Sequence, residues 1–367
     1  MISGDGTGKS MFLEIHKLIK IMIAERELKF VDTLFYPSEV WLDAIKHLNF
    51  VFDLSEESLD YIRMHTGFIT GVAWFQHAHQ PYRQWNSERL KNELPLIQRY
   101  EELTNGLPEK YAIEEPCNKS AINNLGVRYN NKLISNDVLR YQRCITNLYN
   151  SNVFEHLENE ISHPVTVEIG AGYGGVAHQI ASAILNKGTY IIVDLPEILF
   201  WSINFIRINN PDKKLWIYDA ESFDLDEFKR SYKNYDYIFI PNYMSEILKV
   251  LESVDLYVNL LSFQEMSQQQ VAFYLDLIQR NLNGVFYSEN FSKHWMNTEL
   301  TSKLHHLYEK CFVMHPRPEQ YSSIECSNDP QELKTVWNLF PFIMCLNGQQ
   351  NTVFKQVPLH TPYGIIG

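Results

Sequence analysis

The sequence is poor in cysteine and in positive charge, and each shortage excludes a class of protein. Five cysteines are spread widely among 367 residues without a C-x-x-C pair, so we predict neither a disulfide framework nor a zinc site. The chain has 32 Lys and Arg against 44 Asp and Glu, a net charge of -12. Because binding to nucleic acid or to an anionic membrane surface needs clustered basic residues, we expect neither partner.

Long apolar runs, a complete P-loop and internal repeats are also missing. The N-terminal apolar stretch Ile19–Ala24 is interrupted by Lys20, far short of the roughly 20 apolar residues of a membrane span. Residues 3–10 (SGDGTGKS) resemble a phosphate-binding loop, but Ser3 stands where that motif needs glycine. We therefore expect no membrane span, a cytoplasmic location and reduced thiols. With 45% hydrophobic residues, the chain can bury a large core.

The most informative stretch is residues 165–176, VTVEIGAGYGGV. β-favouring residues lead into a glycine turn, and apolar residues at helical spacing follow from Val176 to Gly188. This pattern predicts a strand, a ligand-binding loop and a helix. A side chain at Gly170 or Gly172 would block the turn and keep a ligand from the backbone N–H groups at the helix start.

The glycine spacing alone allows two kinds of nucleotide. It fits the dinucleotide pattern G-x-G-x-x-G, whereas Glu168, two residues before the first glycine, favours S-adenosylmethionine (SAM). A second predicted strand, 190–193, ends in Asp194, a carboxylate suited to accept from ribose hydroxyls in either case. A nicotinamide-dependent oxidoreductase therefore stays open, although no Tyr-x-x-x-Lys pair follows the fourth predicted strand.

Four pieces of the chain carry a family resemblance: VEIGAGYGG (167–175), VDLPE (193–197), NLLSFQEM (259–266) and FYSEN (286–290). In sequence, order and rough spacing they resemble the sugar O-methyltransferases of bacterial surface-polysaccharide clusters, over about residues 120–345. The resemblance implies an α/β, Rossmann-like methyltransferase domain with a mostly parallel seven-stranded sheet flanked by helices. It also implies SAM as the donor and a sugar or glycoconjugate hydroxyl as the acceptor.

Helical patterns dominate before the glycine stretch. Apolar residues recur at helical spacing after Met11, after Trp41 and after Asp137. We predict a mainly helical region over residues 1–150 that covers the cofactor, contributes to acceptor binding or forms a homodimer. Residues 151–367 are predicted to form the methyltransferase domain.

An aromatic stretch in the helical region, residues 74–85 (WFQHAHQPYRQW), is a candidate for sugar binding. Sugar C–H faces stack on aromatic rings, and sugar hydroxyls need hydrogen-bond partners. A packing seam between helices is the alternative. His77 and His79 would point to different faces of a helix, and no third ligand accompanies them, so we predict no metal site.

Two segments compete for the third strand of the sheet, beside the adenine. Residues 215–218 end next to Asp219, an alternative adenine ligand, and residues 237–240 end shortly before Asn242. The second segment lies at the more usual distance from the next strand, so we favour it.

The predicted fourth strand, residues 255–259, should lie beside the glycine-loop strand at the switch point where open α/β sheets bind ligands. The loop that follows this strand, 260–266, would then face the methyl group of SAM. A sugar hydroxyl is a poor nucleophile, so we predict Glu265 as general base, with helix capping as its alternative role. Glu289 and His79 are reserve bases.

The other predicted contacts divide by role. The predicted cofactor-binding residues are Glu168, Gly170, Ala171, Gly172, Tyr173, Asp194, Leu195, Asn242, Asn259 and Ser262. The predicted acceptor-binding residues are Gln264, Asn290 and His77. A methyltransferase acting on another small molecule, or a non-catalytic subunit with the same fold, remains the alternative to a sugar methyltransferase.

Overall fold

A sheet of eight strands runs through the computed structural model, which describes residues 8–31, 33–66, 69, 87–116, 127–291, 297, 300, 303–316, 339–347, 354–361 and 364–366. Two further pairs of short strands, β1 with β2 and β11 with β12, lie outside this sheet. The strands are β1 (Val127–Tyr129), β2 (Lys132–Ile134), β3 (Val165–Ile169), β4 (Thr189–Asp194), β5 (Leu215–Ile217), β6 (Tyr237–Pro241), β7 (Val254–Leu260), β8 (Leu282–Phe291), β9 (Phe312–His315), β10 (Leu339–Leu346), β11 (Leu359–Thr361) and β12 (Gly364–Ile366).

The strand order of the large sheet is β5-β6-β4-β3-β7-β8-β10-β9. The first six strands in this order are parallel, and β10 is antiparallel to both of its neighbours. From β3 the chain proceeds through β4 to β6 on one side and through β7 to β8 on the other. The switch point therefore lies between β3 and β7. This is the Rossmann-like methyltransferase order with one extra edge strand.

The extra strand corrects the predicted count of seven. Strand β6, the favoured candidate, lies beside β4 and is the third strand of the methyltransferase order. The competing segment also enters the sheet, as the three-residue edge strand β5 beyond β6. Its first two residues are only partly buried. Only one segment is the third strand, but an open sheet can accept the other as an additional strand at its edge.

Eleven α-helical segments surround the sheet in the described residues: α1 (Gly8–Lys29), α2 (Glu39–Leu48), α3 (Ile62–Thr66), α4 (Ser87–Thr104), α5 (Asn136–Asn150), α6 (Val153–Asn159), α7 (Gly175–His178), α8 (Pro196–Asn209), α9 (Leu225–Ser231), α10 (Gln268–Asn281) and α11 (Leu304–Glu309). Two 3-10 turns, Asn49–Asp53 and Glu56–Tyr61, lie between α2 and α3. Helix α7 continues as a π-helix, Gln179–Ile184. None of the described helices is long and apolar enough to cross a membrane.

Helix starts follow the capping chemistry of the sequence. Ser267 caps α10 in a capping box with Gln270. Ser135 caps α5, so this helix begins at Asn136, just before Asp137. Gly284 lies inside β8, where a Cβ would come within 2.0 Å of a backbone carbonyl of β7.

Helices cover both faces of the sheet, so its central strands do not alternate between buried and exposed residues. Every residue of β3 and of β7 is buried, as expected for parallel strands covered on both faces. One hydrophobic cluster extends from Phe12 on α1 through the sheet to Leu359. The N-terminal helices and the sheet therefore share a core, and the division at residue 150 stays a prediction.

Two buried ion pairs join N-terminal helices to the sheet region. Arg26 on α1 donates two hydrogen bonds, of 2.8 and 2.7 Å, to the carboxylate of Glu197 on α8. Arg143 on α5 makes a bidentate pair with Glu289 on β8. Both carboxylate side chains are at most 3% exposed. Removing one partner of such a pair is strongly destabilising because it leaves a buried charge uncompensated.

We expect Glu197→Gln to lower the free energy of unfolding by about 3 kcal/mol. The matched control is Glu27→Gln, because Glu27 contacts the same guanidinium but is 42% exposed. The control should cost at most about 1 kcal/mol. Urea unfolding followed by circular dichroism measures both, and equal losses would contradict the assigned importance of the buried pair.

Candidate active site

The glycine turn between β3 and α7 has a left-handed backbone. Gly170, Gly172 and Gly174 have φ of +75°, +59° and +85°, a region in which other residues are strained. At Gly170 there is also no room, since a Cβ would lie 2.2 Å from the Ser262 Oγ. Glycine is therefore required at this position for both backbone and packing.

Asp194, at the end of β4, holds the turn in place. Its Oδ2 accepts from the Gly172 N–H at 2.8 Å, and its Oδ1 accepts from the Leu195 N–H at 2.7 Å. Burial raises the pKa of Asp194 to about 7. The Gly170 N–H also bonds within the protein, to the Val193 carbonyl at 2.8 Å. The two amides predicted to meet a ligand thus order the turn, a role that sequence reasoning missed. A contact between Asp194 and ribose stays a prediction.

Two predicted cofactor ligands direct their side chains into the core. Glu168 is 1% exposed, and its Oε2 accepts from the Tyr190 hydroxyl at 3.0 Å. Burial raises the pKa of Glu168 to about 8. The Tyr173 ring is fully buried against Phe205, with the Arg63 guanidinium 4.0 Å from its centroid. Side-chain contacts from these two residues to a cofactor are therefore not supported. Ala171 and Leu195 are buried within the same turn region.

The loop after β7 is fixed to the glycine turn by side chains that we had assigned to the cofactor. The Asn259 Nδ2 and the Ser262 Oγ both donate to the Ile169 carbonyl at 2.9 Å. Between them Leu261 has φ of +61°, an unfavourable conformation for a branched side chain. Asn259 is completely buried. Asn259 and Ser262 therefore hold a strained loop, a role that was not predicted, and their contact with a cofactor stays a prediction.

The two described acceptor candidates belong to the same buried network. The Gln264 N–H donates to the Asn290 Oδ1 at 3.2 Å, and the Gln264 Oε1 accepts from the Phe291 N–H at 2.9 Å. The Asn290 Nδ2 donates to the Asn259 Oδ1 at 2.8 Å. Gln264 and Asn290 are 3% and 6% exposed. Their amides thus brace the loop against β8 instead of facing an acceptor.

The structure does not support Glu289 as a reserve base. It is fully buried, paired with Arg143, and its Oε2 accepts from the Tyr287 hydroxyl at 2.9 Å. A base must reach the proton that it removes, and this carboxylate has no exposed surface. Its role is to fix α5 to the sheet.

Glu265 is the carboxylate that the loop presents at the edge of the sheet. It is partly exposed, and its Oε2 accepts from the Trp41 Nε1 at 2.9 Å. Burial raises the pKa of Glu265 to about 7, and the negative charge of Asp194 acts in the same direction. The capping alternative is not supported, because Ser267 and Gln270 cap the following helix. A carboxylate that titrates near neutral pH suits general-base chemistry.

Asn242, directly after β6, has an unused acceptor. Its Nδ2 donates to the Phe35 carbonyl at 2.7 Å. Its Oδ1 is buried and has no hydrogen-bond partner among the described residues. Because buried polar atoms are nearly always paired, this oxygen is available to a donor group. The rival Asp219 accepts from the Glu221 N–H and the Ser222 hydroxyl of its own turn.

Helix α2, from the predicted helical region, packs over this edge of the sheet. Leu48 packs with Leu195 and Ile198, and the partly buried residues Trp41, Ile45 and Ile69 pack against these three. The Gln270 Nε2 donates to the Tyr36 carbonyl at 3.0 Å just before α2. Helical spacing in the sequence predicted the helix, but spacing does not reveal which part of the sheet it covers.

Some predictions fall outside the described residues, namely the aromatic stretch 74–85 with His77 and His79, and the first residues of the P-loop-like segment 3–10. Within the part of the chain that is described, no group of three His, Cys, Asp or Glu side chains could hold a metal ion. The described cysteines, Cys144, Cys311 and Cys345, form no disulfide.

Comparison with known proteins gives structural similarity only. No family model and no curated protein matches the sequence. Similar solved structures include a precorrin-6y C5,15-methyltransferase from Geobacter metallireducens, with 12% identity, 60% of this chain and 92% of that chain covered, and a TM-score of 0.31. A Thermoplasma acidophilum protein has 13% identity, 57% and 96% coverage and a TM-score of 0.32.

An arsenic(III) S-adenosylmethionine methyltransferase from Chlamydomonas reinhardtii is a further similar structure, with 15% identity, 51% and 65% coverage and a TM-score of 0.30. At such values the similarities support no assignment of ligand or substrate. The fold class of this chain rests on its own strand order.

We expect Gly170→Ala to destabilise the protein more than Gly172→Ala. Within the described part of the chain, a Cβ at Gly172 meets only Ile69, at 3.6 Å, so this variant should lose about 1–2 kcal/mol through left-handed backbone strain. Gly170→Ala adds the collision with Ser262. Thermal unfolding measures both variants, and Ser262→Gly should recover part of the loss in the Gly170→Ala background. No recovery would contradict the steric explanation.

Proposed function

We propose that this protein is a SAM-dependent methyltransferase that transfers a methyl group to a sugar hydroxyl. The observation that carries the proposal is the partly exposed Glu265, with a pKa of about 7, on the loop fixed to the glycine turn at the switch point. The resemblance of residues 259–266 and 286–290 to sugar O-methyltransferases supports the sugar acceptor. A cytoplasmic location and a homodimer stay predictions.

The residues at the sheet edge fit the chemical groups of SAM. The unpaired Asn242 Oδ1, at the end of the third strand, would accept from the adenine amino group. Asp194 would accept from ribose hydroxyls, exchanging its bond to the turn for one to the ligand. Among the described residues, a Cβ at Gly172 has only Ile69 within 4 Å. When bound, SAM supplies an electrophilic methyl group on a sulfonium, which is already a good leaving group.

Glu265 would act on the acceptor. Its ionised carboxylate accepts the proton of the sugar hydroxyl as the oxygen attacks, while the surrounding loop aligns the hydroxyl. The buried network of Asn259, Ser262 and Asn290 keeps this loop from relaxing. The chain thus contributes one base and a rigid frame, and alignment accounts for most of the catalysis.

We expect Glu265→Gln to lower kcat for methyl transfer by about 10²–10⁴-fold, because a base is lost while the loop is kept. The affinity for SAM should stay within about twofold in calorimetry. In the wild type, kcat/KM should rise with pH through about 7 as the raised pKa of Glu265 is passed. Wild-type turnover in the variant would remove Glu265 as base, and binding of NAD instead of SAM would indicate an oxidoreductase.

We expect the wild type to bind S-adenosylhomocysteine about tenfold more tightly than S-inosylhomocysteine, because inosine has an acceptor where adenine has the amino donor. Asn242→Ala should reduce this preference, since it removes the unpaired oxygen. Calorimetry with both ligands measures the ratio. An unchanged preference in the variant would place the adenine away from Asn242.

A further inference from the structure

A single tryptophan connects the cover helix to the proposed base. The indole Nε1 of Trp41, on α2, donates to the Glu265 Oε2 at 2.9 Å. Among the described residues it is the only hydrogen-bond donor to this carboxylate, and the Oε1 accepts no hydrogen bond there. One oxygen of Glu265 is thereby fixed, and the other is left for an acceptor hydroxyl.

The position of Trp41 is itself determined by packing. Its ring packs against the cluster of Leu48, Leu195 and Ile198. The chain just before α2 is hydrogen-bonded to two other elements. The Phe35 carbonyl accepts from Asn242 at the end of β6, and the Tyr36 carbonyl accepts from Gln270 on α10. Trp41 therefore presents its N–H from a fixed helix.

A neutral donor suits the electrostatics around Glu265. Burial and the charge of Asp194 raise the pKa of Glu265, whereas the Trp41 hydrogen bond and the charge of Arg140 on α5 lower it. A cation in the place of the indole would lower the pKa strongly and make the carboxylate a poor base. The indole N–H stabilises the ionised form modestly and cannot exchange its proton with an acceptor.

We propose that Trp41 is a positioning residue, which orients Glu265 towards the methyl acceptor and sets the pH range in which this carboxylate ionises. The proposal rests on the proposed function of Glu265 as general base. By this proposal the N-terminal helix α2 positions the general base, in addition to covering this edge of the sheet.

The contact can be tested without any activity. The chain has seven tryptophans, and Trp41→Phe identifies the Trp41 indole resonance in a ¹⁵N–¹H correlation spectrum of the full chain. Titrated from about pH 5 to about pH 9, this resonance should shift with a midpoint near the pKa of Glu265, about 7. In Glu265→Gln the shift should vanish. A Trp41 resonance that does not titrate in the wild type would overturn the proposal.

The second measurement is the pH profile of kcat/KM. Trp41→Phe keeps an aromatic ring in the cluster but loses the N–H, so the acidic limb should move up by about one pH unit. The rate at high pH should stay below that of the wild type, because Glu265 is ionised there but no longer held in place. SAM affinity should stay within about twofold. The matched control is Trp216→Phe, because Trp216 lies on edge strand β5 and packs against Phe223 and Phe228.

The outcomes separate the two proposals. An unmoved profile in an active Trp41→Phe variant, or an equal shift in Trp216→Phe, would overturn the role of Trp41. A titrating Trp41 resonance in a wild type that transfers no methyl group to any sugar would contradict the proposed function while supporting the coupling between Trp41 and Glu265.

Discussion

The hydrogen bonds that Asn259 and Ser262 donate to the Ile169 carbonyl are the constraint on which the site depends. They join the loop after β7 to the glycine turn after β3, at the point where the strand order reverses. The contact is close enough to require a residue without a side chain at Gly170. It also holds Leu261 in a conformation that the loop would not keep alone. Rigidity at this point gives Glu265 a defined position.

The parts of the site that lie close together in sequence were predictable. The glycine turn, Asp194 and the loop bearing Glu265 each follow a strand whose apolar residues mark it clearly. Because the carboxyl ends of parallel strands meet at one edge of a sheet, their approximate neighbourhood follows from strand order. The place of β6 beside β4 and the place of β7 beside β3 are confirmed, and both follow from local strand patterns.

Side-chain directions were less predictable, and the reason is the covering of the sheet on both faces. In a half-exposed strand, alternation shows which residues point inwards. In β3 every residue is buried, so nothing in the pattern indicated that Glu168 bonds Tyr190 within the core. Similarly, nothing in the sequence indicated that the side chains of Asn259 and Asn290 bond to each other. Amides next to a ligand site look the same in sequence whether they bind the ligand or brace the loop that does.

Contacts between distant parts of the chain were not predictable from spacing. Trp41 and Glu265 are 224 positions apart, and Arg143 and Glu289 are 146 apart. Neither member of these pairs has a neighbour in sequence that identifies its partner. The prediction that Glu289 is a reserve base failed for this reason. The sequence showed a carboxylate at the end of the expected strand, but it did not show that Arg143 pairs with this carboxylate.

The two arginine pairs also constrain the order in which the chain can become native during synthesis. Arg26 and Arg143 leave the ribosome before Glu197 and Glu289, their partners in the finished protein. Until those carboxylates are made, the guanidinium groups stay hydrated, and burying α1 or α5 would cost the desolvation of an unmatched charge. By this argument α1 completes its packing only after α8 has been translated, and α5 only after β8.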